Sequence, residues 1–406
     1  MAKLENRVMT VSFWLDEPYT PRPPLASDLT APVAILGGGI SGVATAYWLS
    51  RAGCACVLVE RNVLAGGATG RNAGFLLEGT VPPYDALAER YGLDTASAVW
   101  EFTVENRERL IQTCQDERIA CECIRCGSVV AASSAAEFED LRRHAQTLNA
   151  SGFPREIWDR AAMLERLEGV GGFFGAVYNP QDAGLHPVRF VRGLATVAEQ
   201  AAARIFEGSP VRSLVRHGNH WSVTTPSGSV RATSVVLGLN AYAATVDPTW
   251  YGLIEPVRGQ ALATAPVGRE VFAHLLYANR GFEYWRQLPD GRIVLGGLRH
   301  LAPAEEVGTL DTLHPRIQDA LTRYLRDLGI PPHVGVTHRW SGIMGFVPDR
   351  MPLIGPVVDR PGLYLAGGYS GHGLAFAFLA GRMIAQLIVD GDTEYPRILF
   401  PERLVP

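Results

Sequence analysis

At 406 residues, 47% of them hydrophobic and with a formal net charge of −4, the chain suits two domains of ordinary size and lacks the basic excess that nucleic acid or a membrane surface would require. Lys3 is the only lysine, on an end expected to be loose, which excludes Schiff-base and pyridoxal-phosphate chemistry. No basic segment followed by an apolar stretch opens the chain, and the late apolar stretch 373–389 is broken by Arg382 and Gln386, so neither a signal peptide nor a membrane span is expected and the location reads as cytoplasmic.

Residues 1–31 are rich in proline (PYTPRPPL), carry Phe13, Trp14 and Tyr19, and predict an extended arm lying on the surface. Val33 to Leu36 then predicts a strand, and Gly37, Gly38 and Gly39 a turn. Val43 to Ala52 predicts a helix, with Ala44, Tyr47 and Trp48 on one face and Gly53 as its stop. A second strand, Ala55 to Val59, ends at Glu60. A G-x-G-x-x-G inside a strand–helix–strand unit reads as a dinucleotide site. Gly37 permits the tight turn, Gly39 lets backbone approach a pyrophosphate, Gly42 lets helix and strand pack closely, and the helix start offers free N–H groups. Glu60 stands where a carboxylate accepts from ribose hydroxyls.

The stretch 61–79 is dense in Gly, Ala, Asn and Thr and predicts a loop leading to a short helix, with Arg71 and Asn72 as polar groups that could face a pyrophosphate. Helices are predicted over 94–118, 135–149 and 161–167, a strand over 172–178, and a helix over 188–203. Strands over 204–207 and 211–216 precede a hairpin turning at Pro226-Ser227-Gly228. Cys121, Cys123 and Cys126 form C-x-C-x2-C. Strand-like alternation and the lack of a nearby histidine favour buried, reduced thiols there, and no metal is assigned. Strand patterns dominate 251–299, with Asp290-Gly291 between two alternating runs as a hairpin sign. A helix is predicted over 310–328, then strand and loop. The strand Leu363 to Ala366 meets a second glycine-rich turn, Gly367 to Gly373, opening a long apolar helix whose first N–H groups favour negative charge.

With both glycine-rich turns in view, the chain resembles the D-amino-acid-oxidase type of FAD-dependent oxidoreductase. The resemblance rests on GGGISG, Glu60, GATGRNAG, AGLHP, NAY at 240–242, RIVLGG, RWSGIMGFVPDRMPLIG and GGYSGHG, and covers nearly the whole chain in order. Within that superfamily it is most similar to γ-glutamylputrescine oxidases and related amine oxidoreductases. The resemblance implies an α/β fold: a Rossmann-like FAD domain built from 31–82, 187–250 and 338–395, and an α+β substrate domain from 83–186 and 251–337 with a mostly antiparallel sheet. An arm, 1–30, and a tail, 396–406, would flank them. It also implies contacts. Gly37, Gly39, Ile40, Ser41 and Gly42 would hold the pyrophosphate, and Glu60 and Arg61 the adenosine side. Ala68, Thr69, Gly70, Arg71, Asn72, Ala73 and Gly74 would run along the pyrophosphate and flavin. Val211 would meet adenine through its backbone. Gly342, Gly368, Ser370, Gly371, His372, Gly373 and Leu374 would surround the ring.

Departures from relatives carry expectations too. The flavin-linking cysteine or histidine of some relatives has no counterpart here, so FAD should be non-covalent. The arginine that holds a substrate carboxylate in glycine-oxidase-like members is replaced by Met344, which favours an amine; Arg258 or Arg286 could substitute. A flavin-facing lysine, used by some oxidases toward dioxygen, is lacking, so dioxygen or another electron acceptor remains open. The reaction implied is oxidation of a C–N bond of a small amine by hydride transfer to flavin N5, giving an imine that hydrolyses. Phe75, Tyr284, Trp285, Trp340, Tyr369 and His372 are pocket candidates, with Tyr284, Trp340 and His372 nearest the chemistry and no single base assigned. The rivals are an amino-acid oxidase or dehydrogenase on the same fold, an NAD-dependent dehydrogenase, and a flavoprotein without catalysis.

Overall fold

The computed structural model describes residues 10–168 and 170–404. Its first unit is β1 (Leu29–Leu36), α1 (Ile40–Arg51) and β2 (Cys56–Val59). Then come β3 (Phe75–Leu76), α2 (Tyr84–Tyr91), α3 (Leu93–Asp116), β4 (Ile124–Arg125) and β5 (Ser128–Ala131). They are followed by α4 (Ala135–Ala150), β6 (Glu156–Asp159), α5 (Arg160–Arg166), β7 (Gly175–Asn179) and β8 (Ala183–Gly184). The chain returns through α6 (Pro187–Ala201), β9 (Ala203–Phe206), β10 (Ser213–His217), β11 (His220–Thr224) and β12 (Ser229–Leu237). Next are β13 (Glu255–Thr264), β14 (Leu275–Ala278), β15 (Glu283–Gln287), β16 (Ile293–Gly297) and α7 (Pro315–Asp327). It ends with β17 (Val336–Phe346), β18 (Leu353–Pro356), β19 (Leu363–Gly367) and α8 (Gly373–Val389).

Two large sheets organise these elements. The first runs β10-β11-β12-β1-β2-β9, with β19 on β12 and β18 on β19. Its centre is parallel: β1 pairs with β2 and β12, and β12 with β19, so the strands before both glycine-rich turns end on the same edge. Such strands are covered on both faces and read as continuous apolar runs, as Val33–Leu36 and Val57–Val59 do. The second sheet runs β17-β13-β16-β15-β14-β5-β7-β6 and is antiparallel except at β14–β5. Here alternation decides the faces. Val129, Ala176, Leu276 and Trp285 point toward α7, where Ile317, Leu321 and Leu325 complete a core. Their neighbours Val130, Val177, Tyr277 and Tyr284 point the other way, into the cavity described below.

Four departures from the sequence reading have local causes. The arm expected to lie on the surface is largely exposed along its proline-rich part, but the segment before it is anchored inside: Trp14 is 0% exposed, and its Nε1 donates to the Asn72 carbonyl at 2.7 Å. The helix expected from residue 310 begins at Pro315, which suits a first helical turn because proline has no N–H to lose there. β17 runs across the expected boundary at 337/338, so that most of it falls in a stretch expected to belong to the nucleotide-binding pieces, yet it pairs with β13 along its length as an edge of the second sheet. The cysteine segment is strand only at Ile124–Arg125. Cys121, Cys123 and Cys126 are free, and Cys114 Sγ lies 3.4 Å from Cys121 Sγ.

Candidate active site

The turn after β1 is built as its glycines require. Gly37 has φ +105°, and a Cβ on Gly42 would overlap the Gly37 carbonyl oxygen, so the first turn of α1 can lie against the strand end only without a side chain. Glu60, at the end of β2, accepts from Gly38 N at 2.7 Å and Asn62 N at 2.8 Å. Burial pushes its carboxyl up, against the pull of those N–H groups. Thr69 Oγ1 accepts from Ile40 N at 3.0 Å, tying the next loop to the helix start.

The second turn sits beside the first. Ser41 Oγ, on α1, is 2.8 Å from the Tyr369 hydroxyl, just before α8, and the two helices cross where Gly381 meets the α1 backbone at Ala44 and Thr45. Two helix starts, from opposite ends of the chain, therefore open on one cavity of about 950 Å³. This is a cradle for an extended anionic ligand.

The cavity contains most of the expected cofactor residues: Gly37, Gly39, Ile40, Ser41, Glu60 and Arg61 at one end, then Ala68, Thr69, Arg71, Asn72 and Ala73, with Val211 alongside. Gly342, Ser370, Gly371, His372, Gly373 and Leu374 line it farther on. Gly42, Gly70, Gly74 and Gly368 stand behind the wall, where each glycine admits neighbouring atoms a Cβ would strike. Arg71 lines the cavity, but its guanidinium is spent on Thr10, Gly66 and Ser341 and on an ion pair with Asp311 at 3.0 Å. It clamps the loop instead of facing a phosphate.

Of the expected substrate residues, Phe75, Tyr284, Tyr369 and His372 line the cavity. Trp340 does not: it is fully buried behind the wall, and its Nε1 donates to the Arg71 carbonyl at 3.0 Å. Trp285 packs in the α7 core. Neither substitute arginine reaches the cavity lining. Arg258 lies on the α7 side of β13, paired with Glu306 at 3.0 Å and donating to the Leu310 and Glu305 carbonyls. Arg286 shares the cavity face of β15, but the strand β8 lies over it, and its guanidinium donates to Gly74 O at 3.0 Å and Leu185 O at 3.2 Å.

The residue that sequence reasoning missed is Arg299. It follows β16 where the chain bends through Gly297 (φ +123°) and Leu298 (φ +59°), so no strand periodicity indicated its direction. It lines the cavity with its guanidinium 4.9 Å from the Phe282 ring centre and 5.2 Å from that of Phe346, and has no carboxylate partner among the described residues. Burial lowers its pKa, an effect the nearby Tyr284 opposes. It stays a cation at neutral pH. Burial, with Arg299 nearby, brings His372 down to about 4, so that imidazole is neutral; its Nδ1 has no partner in the protein. Burial raises Tyr277 and Tyr284, keeping both phenols protonated.

These features fit FAD. The glycine turns admit a pyrophosphate and Glu60 can accept from a ribose. Gly259 and Gly342, paired across β13–β17, line the cavity without side chains and let Met344 and Arg71 pack close, and His372, with its orphaned nitrogen, lines the same cavity. Comparison with known proteins agrees. Residues 32–387 match the family model described as FAD dependent oxidoreductase, DAO. The chain is 28% identical over 377 residues to a probable oxidoreductase OrdL of Rhizobium meliloti, covering 90% of this chain and 84% of that protein. It is 27% identical over 385 residues to the γ-glutamylputrescine oxidoreductase of Escherichia coli, covering 93% and 87%. Among solved structures, glycine oxidase from Geobacillus kaustophilus superposes with a TM-score of 0.78 at 21% identity, covering 93% of this chain and 100% of that one. An α/β chain with a Rossmann-like nucleotide unit, this fold and this family match belongs to the DAO family of FAD-dependent oxidoreductases, enzymes of amine or amino-acid oxidation.

Proposed function

We propose that the protein oxidises the C–N bond of a small amine, with FAD held non-covalently by the two glycine-rich turns. The observation that carries this reading is the chemistry of the cavity beyond the turns: Phe75, Tyr277, Tyr284 and Tyr369 around a neutral His372 and a cationic Arg299. Bound FAD would supply the hydride acceptor. The chain's own contribution is to dock an unprotonated amine and exclude water. The aromatic walls exclude water. Arg299 disfavours an ammonium beside it, so the amine sits there neutral, with its nitrogen lone pair free. The carboxylates lining the cavity, Glu60, Glu78 and Asp182, are all elsewhere, and no residue here need act as a base. The imine formed then hydrolyses.

Arg299 also favours a second reading, an amino-acid substrate whose carboxylate it would hold; an arginine–carboxylate pair is the strong form of such a contact. The E. coli relative is named for an amine, and a Cereibacter sphaeroides relative, 25% identical, for D-amino acids. The two readings separate in an anaerobic screen that follows loss of flavin colour. Arg299→Met should cost carboxylate-bearing substrates roughly a hundredfold in kcat/KM if they are the true ones. Simple amines should lose far less. The amine reading fails if only carboxylate-bearing compounds bleach the flavin. We further propose an electron acceptor other than dioxygen, since Lys3, outside the described residues, is the only lysine. Rapid recovery of colour on admitting air would overturn that.

A further inference from the structure

The cavity does not end at the aromatic pocket. Tyr284, Tyr277, Val130 and Val177 stand in register on β15, β14, β5 and β7, and all line it. Three strand spacings separate the first from the last, about 14 Å. Phe75 packs edge-on against Tyr277 at 5.2 Å, and at the β7 end Trp100 of α3 and Leu141, His144 and Leu148 of α4 also line the cavity, as a lobe bordered by those helices.

The lobe is polar, and its charges are balanced. Glu78 and Asp182 share Arg107, and Glu78 also pairs with Arg155. The acidic oxygens are occupied: Glu78 takes Trp100 Nε1 as well, and Asp182 takes Ser128 Oγ at 2.6 Å and Glu78 N at 3.1 Å. Two polar atoms bordering the lobe lack a hydrogen-bond partner, His144 Nδ1 and Asn179 Nδ2; the imidazole nitrogen has Asp85 at 3.5 Å, and the amide has no such group beside it. Asn179, at the end of β7, is 4% exposed, and its Nδ2 has no partner. Its orientation is fixed chemically, because Gln181 N–H can only donate, and the Asn179 oxygen receives it at 3.1 Å. A buried amide NH2 facing a cavity needs an acceptor, and a ligand oxygen placed there would replace the water that otherwise supplies it.

Resting on the reading of a C–N oxidation at the flavin end, we infer that the substrate is elongated and carries at its far end a carbonyl or carboxylate oxygen that accepts from Asn179. An ammonium at that end would meet Arg107 and Arg155, whose charges already offset those of Glu78 and Asp182.

The test is a chain-length series of linear primary amines ending in methyl, carboxamide or ammonium. Each is titrated calorimetrically into the FAD-loaded protein without air, and flavin bleaching is followed separately. At the matching length the carboxamide should bind roughly tenfold tighter than the methyl-ended chain, and the diamine no tighter than the methyl-ended one. Asn179→Leu should erase that difference. Val177→Phe, narrowing the lobe without touching the amide, should abolish the gain of the long chains over short ones. Equal affinity of methyl and carboxamide ends at every length overturns the inference, as does a preference that survives Asn179→Leu. If no amine bleaches the flavin the C–N reading falls, while the affinity order still decides the subsite.

Discussion

Single side chains here make opposite use of burial. Glu60 is held as an acceptor by two backbone N–H groups and faces the cavity where a ribose would donate to it. Glu60→Gln replaces one acceptor oxygen with a donor aimed at an N–H, and should weaken FAD binding about tenfold to a hundredfold, read as flavin fluorescence released on dilution. His186 works through neutrality. It caps α6 by accepting from Arg189 N, packs at 4.8 Å on Trp14, and is held down to about 4, by burial above all. A histidine whose folded pKa lies below its unfolded one binds fewer protons when folded, so its stability is intact above pH 6.5 and is lost as pH falls toward 4. The apoprotein's melting temperature should therefore drop between pH 7 and pH 5, this group accounting for roughly 1–2 kcal/mol. His186→Asn keeps a capping acceptor and should flatten the slope; an unchanged slope would assign it to other groups.

Elements meet here through residues that local pattern does not reveal. The arm is an integral part of the site wall because Trp14 reaches the Asn72 carbonyl while Ser12 Oγ donates to the Gly70 carbonyl. Trp14→Ala should cost about 3–5 kcal/mol in a denaturant titration and loosen the cofactor loop, so that flavin leaves before the protein unfolds. Gly42→Ala acts between α1 and β1. The overlap with Gly37 O can be relieved only by moving the helix start that faces the cofactor. A folded, colourless protein is the expected product, and a yellow one would show that the turn can give way.

Across the whole molecule, the cavity is lined from both large sheets, by Val59 of the first and by Gly259, Tyr277, Tyr284 and Gly342 of the second. Ligand in that space should join them. At a FAD concentration about a hundred times its Kd, mass action predicts some 2.7 kcal/mol of stabilisation, which differential scanning fluorimetry of apoprotein and reconstituted protein would register as a rise in melting temperature of several degrees. No helix among the described residues is long and apolar enough to cross a membrane.

The amino-acid sequence alone determined the nucleotide unit, since strand, turn, helix and acid lie within about thirty residues and each glycine has a local reason. It also determined that a second glycine-rich helix start exists, but it left Tyr284 and Trp285 as equal pocket candidates, and the pleat of β15 sends only the first to the cavity. Partners were decided only by the tertiary structure. Arg258 and Arg286 looked as available as any arginine, but Glu306 holds the first and β8 covers the second, while Arg299, after a bend with no periodicity, faces the cavity. Trp340 turned from lining into fastening for the same reason, and Arg71, though it still lines the cavity, spends its guanidinium on fastening. A repeat of two or of 3.6 residues tells which face a side chain takes. It carries no information about what a distant segment lays against that face, and in this protein such long-range covering separates the residues that meet a ligand from those that hold the wall.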